Sequence, residues 1–125
     1  MAAQTDLWGD LTTSAQVRTP LAILREQASL LGKKTQNLVE ASVQTSILPG
    51  QRFVHSFNLV VPALSNYSYS LFVVKHGIEL YPVSVEDPEV PPLETEQAFM
   101  NWLRYILSSD KTKRLIGNLL AQARS

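Results

Sequence analysis

The side chains best suited to proton chemistry in this chain are its two histidines, His55 and His76. A general base needs a partner within hydrogen-bond reach of the proton it takes. The spacing supplies none. His55 falls on the inward face of a predicted strand, and Ser56 beside it points to the opposite face, so the two cannot form a nucleophile–base pair. His76 reads as a turn residue next to Gly77. The carboxylates Glu79, Glu86, Asp87, Glu89, Glu94 and Glu96 form an acidic stretch broken by prolines. It lacks the loop pattern that brings several oxygens onto one cation, so it reads as a solvated linker with no metal site. No glycine-rich phosphate loop, HExxH or GxSxG occurs. Cysteine is absent, which removes thiolate catalysis, cysteine-ligated zinc and disulfides. No catalytic residue and no cofactor is therefore expected, and the reading leans away from an enzyme.

Basic groups are equally uninformative. Lys33 and Lys34 close one predicted helix, and Lys111, Lys113 and Arg114 open another. The first pair suits the negative end of the helix dipole, and the second set, at a helix N-terminus, reads as a solvated face rather than a site for a phosphate or acidic partner. Tyr67, Tyr69 and Phe72 sit on strand positions that could stack bases, but no Arg or Lys is interleaved with them. The formal net charge is zero, which disfavours a protein built to grip phosphates. Nucleic acid is not an expected partner.

The elements that position these residues follow from periodicity. Thr19-Pro20 is a helix start: Thr can cap, and Pro is tolerated at the first helical position. Leu21, Leu24, Ala28 and Leu31 then define one apolar face over 20–33, and Gly32 is the expected left-handed terminator. From Val39 the period changes to two, giving a half-buried strand over 39–47 that ends at Pro49-Gly50. Further strands are expected at 52–61, 67–75 and 78–85. The last two form a hairpin with His76-Gly77 as a two-residue loop, so that Phe72 faces Tyr81. Pro82 cannot donate to a ladder and places the fourth strand at the sheet edge. EDPEVPP at 86–92 is a linker, and helices follow at 94–108 and 111–123.

The fold class is thus α+β. It is a four-stranded antiparallel meander with one N-terminal and two C-terminal helices, mainly on one face. A chain of 125 residues, 45% apolar and 18% charged, is sized for one domain with its own core. We assign 19–125 to that domain and 1–18 to a flexible tail whose Trp8 docks in a groove of its own domain or serves as a recognition peptide. The N-terminal sequence does not read as a signal peptide, and no apolar run reaches membrane-spanning length, so no membrane partner and a cytoplasmic setting are expected.

Two functional expectations result. Strict alternation through the hairpin gives an outer sheet face carrying Val54, Val60, Phe72, Val74, Tyr81 and Val83 between polar residues. Such a patch suits a protein partner, with a second copy the simplest, making a homodimer. The alternative is a small-ligand binder or enzyme with a pocket between sheet and helices, lined by His55, Phe57, Tyr69 and Trp102.

Overall fold

A computed structural model of the chain describes residues 5–11 and 17–125. The other tail residues, 1–4 and 12–16, and the part of the tail reading that falls on them lie outside the described residues. Helix α1 (Pro20–Lys34) leads into strands β1 (Glu40–Leu48), β2 (Arg52–Val61), β3 (Tyr67–His76) and β4 (Ser84–Val85). Helices α2 (Glu96–Leu107) and α3 (Asp110–Ala123) complete the order. The strands form one antiparallel sheet in the order β1-β2-β3-β4, so the α+β meander stands as expected.

Each helix begins at a side-chain cap. Thr19, Thr95 and Ser109 accept hydrogen bonds from the backbone N–H of Ala22, Ala98 and Thr112. The end of α1 differs from expectation. Gly32 stays within the helix, and the positive φ values fall four and five residues later, at Gln36 and Asn37. Buried Thr35 closes the helix, its backbone N–H donating to the Leu31 carbonyl. The Thr35 hydroxyl accepts from Val39 N–H at 3.2 Å and lies 2.6 Å from the Val39 carbonyl. This local clasp joins the helix end to the start of the sheet.

One sheet face carries Phe57, Leu59, Val61 and Val74, and these join Ile23 and Leu24 of α1, Phe99 and Leu103 of α2 and Leu119 of α3 in a single core. Fully burying a large apolar side chain contributes about 1.5–3 kcal/mol. An aromatic ladder ties the layers together. Phe57 stacks on Phe72 at 5.1 Å, Phe72 meets Trp102 edge-on at 5.0 Å, and Trp102 stacks on Phe99.

The hairpin after β2 departs from the sequence reading in two ways. Phe57 pairs with Phe72 but Asn58 pairs with Ser70, which leaves Leu71 as an extra residue in β3. A bulge of this kind turns the following side chains to the other face. Phe72 and Val74 therefore point into the core together with Tyr69, which lies two places before the bulge. The second departure is the loop. His76 is a strand residue opposite Phe53, not a turn residue, and the connection runs from Gly77 to Val83 through a cis Tyr81-Pro82 bond. The fourth strand shrinks to Ser84 and Val85, opposite Lys75 and Val74. Its edge position stands, and Val83 makes a bridge with Leu93 beyond it.

Candidate functional site

The expected outer patch is not where alternation put it. Val74 and Val83 are fully buried, Phe72 stands in the aromatic ladder, and Tyr81 packs 6.5 Å from Phe99. The bulge at Leu71 accounts for Phe72 and Val74; the long connection accounts for Tyr81 and Val83. Only Val54 and Val60 remain on the outer face, half-buried and joined by Val73 among Ser42, Ser56 and Ser70. That face is mostly polar, with Lys75 opposite Val54 and Glu40 opposite Val60, as one wet side of an antiparallel sheet is.

The four residues of the expected pocket also part company. Trp102 belongs to the aromatic ladder, and Tyr69 is half-buried against the core. His55 is enclosed, at 2% exposure, and spends both ring nitrogens on neighbours: Nδ1 lies 2.9 Å from the Thr45 hydroxyl and Nε2 lies 2.8 Å from Nε2 of His76. His76 Nδ1 lies 2.7 Å from the Gly77 carbonyl. A carbonyl only accepts, so His76 Nδ1 carries a proton. In the neutral pair its Nε2 then accepts from His55 Nε2–H, and His55 Nδ1 accepts from Thr45. Every link of Thr45→His55→His76→Gly77 is satisfied by one tautomer of each ring. Burial first, then His76, then the charge of Arg25 pushes His55 down from 6.5 to about 4. With all four ring nitrogens engaged, the pair has no lone pair aimed at a substrate. It braces the end of the sheet, with the His76 ring stacked 5.4 Å from Phe53. The sequence signal was the cross-strand register: with Phe53 opposite His76, the two histidines become diagonal neighbours.

Two features that sequence reasoning did not single out remain. The first is a cleft of about 480 Å³ between the sheet and all three helices. Phe57, Leu59 and Leu71 make its floor, and Ile23, Leu31 and Leu103 stand among its walls. Of the four expected pocket residues, only Phe57 lines it. Its polar lining is Gln27, Lys34, Arg104, Ser108 and Lys113, which is three cations and no acid. Among the described residues none of these cations makes an ion pair.

The second feature is the free edge of β1. One side of this nine-residue strand pairs with β2 along its whole length, and no strand flanks the other. Beyond Val43 its side chains are exposed, Ile47 at 66% and Leu48 at 41%. It contains no proline and one charge, Glu40. Among the described residues no helix is long and apolar enough to cross a membrane.

No family model, curated protein or solved structure matches the chain.

Proposed function

We propose that the protein is a non-enzymatic interaction module that pairs with a second copy of itself, the sheet continuing through the free edge of β1. The observation that carries this is the exposed half of that edge, Gln44 to Leu48, beyond the part of β1 that lies beside α1. Exposed edge strands template pairing with another chain, and proteins normally blunt them with lysine, proline or a bulge. The β1 stretch EASVQTSIL has none of these, and its pairing with β2 is regular throughout.

The sequence of β1 is also compatible with its own antiparallel image. Centred on Gln44, the register sets Ala41 against Ile47, Val43 against Thr45, and Ser42 against Ser46. Side-chain parity is kept, so the inward face of one sheet continues into the other. Glu40 meets Leu48, so no like charges oppose. A two-fold axis through Gln44 makes the interface self-complementary, as closed dimers require. Main-chain hydrogen bonds supply the attraction and the alternate side chains set the register.

Sedimentation velocity of the wild type and of Gln44→Lys tests this reading. The substitution puts two like charges face to face at the axis, where they weaken association by about tenfold or more. The wild type should sediment as a dimer and the variant as the 13.9 kDa monomer. A wild type that stays monomeric at high concentration would refute the reading.

A further inference from the structure

We infer that the cleft between the sheet and the three helices binds a single-chain amphipathic anion, with a fatty-acid carboxylate as the fitting class. Three observations lead there. The first is size: about 480 Å³ falls within the range of small-molecule sites, roughly 300–1,000 Å³. The second is the lining. Sheet residues Phe57, Leu59 and Leu71 and helix residues Ile23, Leu31 and Leu103 offer a saturated chain an apolar bed. No titratable acid, histidine or tyrosine is among the lining residues. The third is charge. Lys34 in the last turn of α1, Arg104 in the last turn of α2 and Lys113 in the first turn of α3 reach the same cleft from three elements, without ion-pair partners among the described residues. Ser108 and Gln27 add hydrogen-bonding groups.

The combination selects among ligands. A neutral lipid alcohol would use the apolar lining and leave the cations idle. A small hydrophilic anion would use the cations and leave the apolar lining wet. A long-chain carboxylate uses both, its oxygens accepting from Lys and Arg N–H groups at the rim. A short peptide with acidic and apolar residues is the competing occupant. The chain's own tail carries one in Asp6, Leu7, Trp8 and Leu11, and the structure leaves Leu7, Trp8 and Leu11 exposed at 89%, 80% and 58%. No β1 residue lines the cleft, so ligand binding and the pairing proposed above are read independently.

The chain contains Met1 and Met100 only, and Met100 lines the cleft, which provides a local reporter. Methyl-labelled methionine in the full-length protein is titrated with dodecanoate and, in parallel, with dodecanol. Dodecanoate should move the Met100 methyl resonance saturably, with an affinity at least about tenfold above that of dodecanol. Lys34→Glu, Arg104→Glu and Lys113→Glu, all at exposed positions, should each weaken dodecanoate by about threefold and leave dodecanol unchanged. Leu30→Asp, at a partly exposed wall position, should abolish both. Equal affinity for the acid and the alcohol would overturn the inference, as would the absence of any saturable shift. A shift of Met100 on Trp8→Ser without added ligand would also overturn it, because the tail would then be the occupant.

Discussion

Acidification should loosen this fold through His55. The ring is 2% exposed, and its pKa is held near 4 against an ordinary 6.5. The neutral form is therefore the one the fold favours. The unfolded chain takes up a proton from pH 6.5 downward, while the folded chain resists until pH nears 4. Stability is thus complete above 6.5 and falls as the pH drops through that window. Between pH 7.5 and 4.5 the full shift corresponds to about 2.5 kcal/mol. Thr45, at one end of the chain of hydrogen bonds, is exposed, so water screens the new charge and about 1.5 kcal/mol is expected. Urea unfolding followed by circular dichroism at the two pH values measures the loss. The control is His55→Leu combined with His76→Leu, which removes both members of the pair. Replacing both partners by apolar groups leaves no buried nitrogen unsatisfied, so the variant should stay within about 1.5 kcal/mol of wild type at pH 7.5. It should lose less than about 0.5 kcal/mol on acidification. A double variant as acid-sensitive as the wild type would show that the pair is not the origin and would refute the argument.

Other expectations can be checked in the same way. Thr35→Val keeps the side chain's shape but removes the hydroxyl that clasps Val39, and should lower unfolding free energy by about 1–3 kcal/mol in the same urea assay. Tyr81 donates to the Arg18 carbonyl at 2.9 Å, and burial followed by the charge of Glu96 raises its pKa to about 12. Spectrophotometric titration should therefore show a late phase from Tyr81, and Tyr81→Phe should remove that phase. A titration unchanged by the substitution would count against the placement of the phenol.

Local rules of the chain carried much of this fold. Thr19-Pro20 marked the first residue of α1, and the change of period after Leu38 marked β1, because caps and side-chain periodicity act within a few residues. The order of β1, β2 and β3 followed from their short connections. What local rules could not reach was the bulge at Leu71. The run LFVV at 71–74 is apolar throughout, so alternation does not say where the face changes; only the pairing with Phe57 and Asn58 does. One extra residue moved Phe72 and Val74 from an imagined surface into the core. The His76-Gly77 pair resembled a tight turn, yet tertiary pairing drew His76 into β3 beside His55. The cleft was illegible for a related reason. Its cations lie far apart in sequence, at Lys34, Arg104 and Lys113, and only the packing of three helices on one sheet assembles them.

The pairing of β1 with its own image makes a claim about one residue. In the proposed register Gln44 lies opposite Gln44, with Cβ atoms about 4.5–5.5 Å apart, close to the separation a disulfide bridges. The chain has no cysteine, so a single introduced thiol reports without interference. Gln44→Cys, Ser42→Cys and Ser46→Cys proteins, oxidised mildly and run on non-reducing gels, test the register directly. Pairing centred on Gln44 should give a covalent dimer for Gln44→Cys and little for the other two alone, with the 42 and 46 variants linking to each other when mixed. Failure of Gln44→Cys to cross-link, or equal cross-linking at all three positions, would contradict it.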